Sequence, residues 1–189
     1  MGAILPIVMK ILGMLPWGKI LEMIMGLFGD TEKVLTSKMK IETKPRKKKY
    51  WMTLAKAEIG VTEIPGERNE KRVLEYHNMT TLRATEDSVP WCASFVSAIL
   101  EWSGEASTRS ARAKSYLTWG YELAEPMYGC IVVLWRKSPD SASGHVGFYC
   151  GEDESGRILL LGGNQNNQVC ITPYSKERVL SYRMPEGKI

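Results

Sequence analysis

The chain changes its hydrophobic period near residue 129, and that change constrains the fold more than any other feature. Beyond it lie four short apolar runs: CIVVLW (130–135), HVGFYC (145–150), ILLLGG (158–163) and QVCITPY (168–174). They are rich in β-branched residues and separated by turn residues, which predicts strands. Before the change, apolar residues recur at helical spacing. YWMTLAKAEIG (50–60) sets Trp51, Leu54, Ala55 and Ile59 on one side and ends in Gly60, a residue suited to a helix C-terminus. Pro65-Gly66 marks a turn, and a second helix follows with Val73, Leu74 and Tyr76. A third begins within SVPWCASFVSAIL (88–100), and a short fourth is expected near 113–123. Helices first and antiparallel strands after them define an α+β domain.

A chain of 189 residues buries the core of one ordinary domain with an appendage to spare. The boundary falls near residue 50, where the charge balance reverses. Residues 1–50 hold ten Lys/Arg against four Asp/Glu, and the rest hold fifteen against seventeen. A nucleic-acid-binding main domain would carry its own basic face, so that class is set aside. Residues 1–29 are mostly apolar, but Pro6, Lys10, Pro16, Lys19 and Glu22 interrupt them. That is too broken for a simple spanning helix, and no basic region or small-residue cleavage site marks a secretory signal. Ile4, Ile7, Val8, Ile11, Leu12 and Leu15 share one helical stripe, and Ile20, Met23, Ile24, Leu27 and Phe28 share another. Two short amphipathic helices split at Pro16 are expected. Their apolar faces need a membrane, a partner, another copy or the chain's own domain to cover them. The expected organisation is an apolar helical anchor (1–43), a basic linker KPRKKK (44–49) and a compact domain (50–185).

The four cysteines form no CxxC pair and no zinc-type spacing. Cys130, Cys150 and Cys170 read as small core residues. Cys92 differs, because Pro90 precedes it and the apolar ASFVSAIL follows, which sets it in the first turn of a buried helix. Free N–H groups and the positive end of the macrodipole favour a thiolate there, and the same N–H groups can receive an oxyanion. A nucleophile needs a base, and the chain has two histidines. His145, in SGHVGFY, starts a predicted strand after a small polar loop, a place from which an imidazole projects toward a helix end. His77 reads as a surface residue. The strand ILLLGGNQ ends in Asn164 and Gln165; paired with the His145 strand, Asn164 can accept from the ring. The residues alone leave a second reading open, a buried cysteine and a satisfied histidine.

PWCASFV, GHVGFY and LGGNQ stand in that order, with AEIGVTEIPG (57–66) before them and LGGNQNNQVCITPYSKERVLSYRMP (161–185) closing the domain. Together they resemble the CHAP and NlpC/P60 cysteine peptidase superfamily over roughly residues 50–185. The resemblance implies a papain-like fold, with N-terminal helices packed on an antiparallel sheet, and no cofactor. It implies cleavage of an amide bond of peptidoglycan, as an N-acetylmuramoyl-L-alanine amidase or a peptide endopeptidase. Cys92 would be the nucleophile, His145 the base and Asn164 the polar third member. Trp91, Glu63, Asp87 and Gln165 are the expected substrate contacts. Trp91 equally suits a helix anchor, Glu86 and Asp87 suit helix-start carboxylates, and Gln165 suits either an oxyanion site or its own loop. Two departures stand out. Gly162 replaces a glutamate that many such enzymes use, and Cys130 replaces an aspartate that precedes the first strand. ATEDS offers only Glu86 and Asp87 to a calcium loop, so no metal is expected. The implied setting is a bacteriophage lysin, virion-associated or in the host envelope, acting on the stem peptide. Residues 1–29 would hold it to a phage-particle protein or a membrane. A bacterial antagonistic toxin with the same chemistry and a catalytically silent assembly module are the alternatives.

Overall fold

The computed structural model describes residues 49–186. The expected anchor (1–43) and all but the last residue of the linker lie outside the described residues. Three α-helices come first: α1 (Tyr50–Ala57), α2 (Lys71–Asn78) and α3 (Cys92–Trp102). A 3-10 helix (Ala113–Thr118) leads into β1 (Tyr121–Leu123). Then come β2 (Ile131–Trp135), β3 (Gly144–Glu152), β4 (Ile158–Gln165), β5 (Gln168–Tyr174) and, after a single 3-10 turn, β6 (Val179–Met184). All pairings are antiparallel, in the order β1-β6-β2-β3-β4-β5. The protein is thus α+β, with helices on one six-stranded sheet.

Two strands went unread in the sequence. The expected helix at 113–123 is a 3-10 helix followed by β1, whose three residues are too few to show a period. β6 buries Ser181 and Arg183 beside Met184, so its polar side chains hide the strand pattern. Their needs are met locally: Ser181 Oγ donates to Glu122 Oε1 (2.9 Å) and Arg183 Nε to Trp119 O (3.0 Å). Ile59 is 47% exposed because α1 ends at Ala57, before the apolar stripe is complete.

α3 is the pivot of the core. Every residue from Cys92 to Leu100 is buried. The helix packs on β3 and β4 and is covered by α1 and α2. A helix enclosed on all sides carries no polar face, and CASFVSAIL has none beyond two serines. Phe95, Ile99 and Leu100 are fully buried, each contributing about 1.5–3 kcal/mol. β4 approaches α3 most closely at Gly163. A Cβ there would stand 2.6 Å from Phe95 Cβ and 2.6 Å from Trp91 Cε3, so only glycine allows this spacing. The helical layer is tied by Glu58 of the loop after α1. Glu58 accepts from Arg72 Nη2 (2.6 Å) and Tyr76 Oη (2.7 Å). Burial works against that charge, but the hydrogen bonds from Arg72 and Tyr76 outweigh it and hold the carboxyl below its usual range.

Candidate active site

Cys92 is the first residue of α3, and its side chain is 7% exposed. The backbone N–H groups of Val146, Ala93 and Cys92 itself bear on the sulfur. The Val146 contact sets the thiol beside the peptide that follows His145. Burial nevertheless pushes the thiol above its usual range, against the opposing pull of Arg136 and these N–H groups. The N–H groups at the helix start favour the thiolate, as the sequence implies, but they do not set the balance. Desolvation of the anion is the larger effect.

His145 lies in β3, fully buried, opposite Leu134 of β2. Its Nε2 meets Gln165 Oε1 at 2.9 Å and its Nδ1 meets Arg136 Nη2 at 3.3 Å. These contacts define the tautomer. Gln165 Nε2 donates to Cys170 O (2.6 Å) and Leu160 O (3.2 Å), so the amide oxygen faces the ring. Tyr174 Oη also donates to that oxygen (3.1 Å). The Nε2 position therefore carries the proton, and Nδ1 offers its lone pair, which the arginine donor meets. Burial pushes the imidazole down to about 4; the Gln165 hydrogen bond opposes this, while the charges of Arg136 and Arg178 add to it. A neutral thiol and a neutral imidazole whose Nδ1 keeps its lone pair are suited to proton transfer during attack, not to a preformed ion pair.

The ring's partner is Gln165, not Asn164. Continued from Phe148↔Leu161, a regular β3–β4 ladder would set position 164 opposite His145. Asn164 instead has φ +55°, and the β4–β5 register shifts between Gly162 and Gln165. The irregularity advances the pattern by one residue and brings the Gln165 side chain to the ring. Asn166 and Asn167, at φ +54° and +60°, then close the two-residue turn to Gln168. Asn164 Nδ2 donates to Glu63 Oε1 at 2.7 Å, and Trp91 Nε1 donates to the same oxygen at 2.7 Å. Glu63 is held there by Glu63 N→Asn167 O (2.9 Å) and the neighbouring Thr62↔Gln168 bridge. It clamps the start of α3 to the end of β4.

The other expected substrate contacts are internal. Trp91 is fully buried and stacks on Tyr76 with ring centroids 5.7 Å apart, so it anchors α3 and lines no groove. Asp87 is 3% exposed; its Oδ2 accepts from Ile64 N (2.9 Å) and Glu70 N (2.8 Å), which staples two loop segments. Gln165 is 3% exposed and spent on the ring and its own hairpin. His77 is not at the surface: α2 turns Val73, Tyr76 and His77 inward together, and His77 Nδ1 meets Ser94 Oγ at 3.1 Å. Cys130 is buried, Cys150 and Cys170 are half-buried, and all four thiols are free.

Two residues at the site went unassigned in the sequence. Tyr174 packs its ring on His145 (centroids 5.3 Å). Arg136 follows β2 and contacts His145, within electrostatic reach of Cys92. The signal for Arg136 was its place two residues beyond Leu134, which puts both on one strand face. It becomes readable only once the β2–β3 register is known.

No protein-family model matches the chain, and no curated protein matches it.

Proposed function

We propose that this protein is a cysteine peptidoglycan hydrolase with a papain-like domain, of the CHAP and NlpC/P60 kind that its motifs resemble. The observation that carries this reading is the thiol at the start of buried α3, set beside the His145–Val146 peptide, with the imidazole oriented by Gln165. Cys92 Sγ attacks the carbonyl carbon of a stem-peptide amide while His145 Nδ1 takes the thiol proton. The N–H groups at the start of α3 stabilise the oxyanion of the tetrahedral intermediate. Collapse breaks the C–N bond, and His145 returns the proton to the leaving amine. Water, deprotonated by the same nitrogen, then hydrolyses the thioester and restores the thiol. Gln165 Oε1 keeps the proton on Nε2 throughout, so that Nδ1 remains the working atom. The reaction serves a bacteriophage in breaching the host wall, with the apolar stripes of residues 1–29 attaching the enzyme to the particle or a membrane.

Dye release from labelled sacculi tests the reading. Wild type releases dye, and Cys92→Ser falls to background, since a serine hydroxyl at the same place is far harder to ionise. Release by Cys92→Ser at the wild-type rate overturns it.

A further inference from the structure

Beside the buried His145 ring stands an exposed positive charge without an acidic partner. Strand alternation puts Arg136 on the face of Leu134, whose cross-strand neighbour is His145. The Arg136 side chain is exposed to solvent. Among the described residues it joins no ion pair, and its hydrogen bond runs to His145 Nδ1. Arg178 is different. Its Nε and Nη2 donate to Trp135 O at 3.3 and 3.1 Å, and its guanidinium lies over the Tyr174 ring at 5.2 Å. It is fixed in place, whereas Arg136 keeps most of its donors unspent. A guanidinium presents five N–H donors in a planar fork that matches a carboxylate, and a neutral imidazole nitrogen engages only one. The acids expected to greet an ammonium group are engaged elsewhere. Asp87 is turned onto backbone N–H groups and Glu63 onto Trp91 and Asn164.

We propose that Arg136 is a substrate-binding residue that takes a free carboxylate beside the scissile amide. Its move from His145 Nδ1 to that carboxylate frees the base to face the thiol. This rests on Cys92 and His145 being the hydrolytic pair, and it names the substrate class. The preferred peptide carries a free carboxylate, as in a stem peptide whose glutamyl α-carboxylate is not amidated.

Alkylation of Cys92 in the full-length protein tests the site without any cell-wall substrate. Iodoacetate carries a carboxylate and iodoacetamide is its neutral counterpart; peptide mass spectrometry reads the label at Cys92 alone. The iodoacetate-to-iodoacetamide rate ratio at Cys92 falls about tenfold in Arg136→Gln, the size of one charge-assisted hydrogen bond. Arg136→Lys, which keeps the charge and loses the fork, falls between, and it preserves the test if the glutamine variant does not fold. An unchanged ratio in both variants overturns the proposal, as does a Cys92 that neither reagent reaches. The same proteins are assayed on sacculi. Unchanged ratios with active hydrolysis remove the role of Arg136 alone. The expected ratio shift with intact sacculi overturns the cell-wall reading and leaves the carboxylate site standing.

Discussion

Replacing Gln165 by leucine separates the two candidates for the residue that orients His145. The variant is close in volume but has no polar atoms. It removes the acceptor for His145 Nε2–H (2.9 Å) and Tyr174 Oη (3.1 Å), and the donor to Cys170 O (2.6 Å) and Leu160 O (3.2 Å). The ring is fully buried, so its orphaned N–H alone costs about 1–3 kcal/mol, and the tyrosine hydroxyl brings the expected loss to about 2–4 kcal/mol. Catalysis suffers separately. Without the amide oxygen the proton is free to sit on Nδ1, where the ring cannot accept from the thiol. The ceiling on that loss is the whole contribution of general-base transfer, on the order of 10²- to 10⁴-fold. Asn164→Gly is the comparison. It tolerates the φ of +55° and loses only the bond to Glu63, so its hydrolysis rate falls less than about tenfold. Urea unfolding and initial rates of dye release from sacculi measure both effects. If Gln165→Leu works within about twofold of wild type while Asn164→Gly loses about 100-fold or more, the assignment of Gln165 is wrong.

His145→Ala lowers dye release about as far as loss of the thiol, because nucleophile and base act as a unit; a residual rate near wild type would turn attention to His77. Gly163→Ala forces a methyl to within 2.6 Å of Phe95 Cβ and displaces the start of α3. It destabilises the fold by about 1–3 kcal/mol or more in urea and reduces activity with it, and an unaffected midpoint would contradict the described β4–α3 contact. Stability falls as pH drops from 6.5 to about 4: in that window the unfolded chain protonates His145 and the folded one does not, so protons favour unfolding. The window amounts to on the order of 3 kcal/mol, and burial of His77 acts in the same direction. His145→Gln flattens the slope, and a wild-type profile already flat between these values would refute the buried, neutral ring.

The three α-helices and the four apolar strands were legible because their periods are set by burial, which apolar residues record directly. Cys92 was legible for the same reason, since an all-apolar helix behind a proline has little choice but to be central. The exchange of Asn164 for Gln165 was not legible. It depends on one residue adopting a positive φ within an otherwise regular strand, and asparagine permits this without requiring it. Trp91 took the helix-anchor reading that the sequence also allowed, whereas Asp87 and His77 were misplaced for a reason that bears on all three. Polar or amphipathic side chains read as exposed in sequence, but each here finds an internal partner: Glu63 for the indole, two backbone N–H groups for Asp87, Ser94 for His77. Arg136 belongs to no apolar pattern and becomes meaningful only through cross-strand register.

Mass spectrometry of muropeptides released from purified sacculi by the full-length protein tests the central claim most directly. Cysteine-based amide hydrolysis predicts product pairs that differ from the parent by one water, divided at a single amide bond into a free carboxylate and a free amine. The same products must be missing from a parallel digest with Cys92→Ser. Soluble products cut only at glycosidic bonds, or an unchanged muropeptide profile with the wild-type protein, would contradict the account.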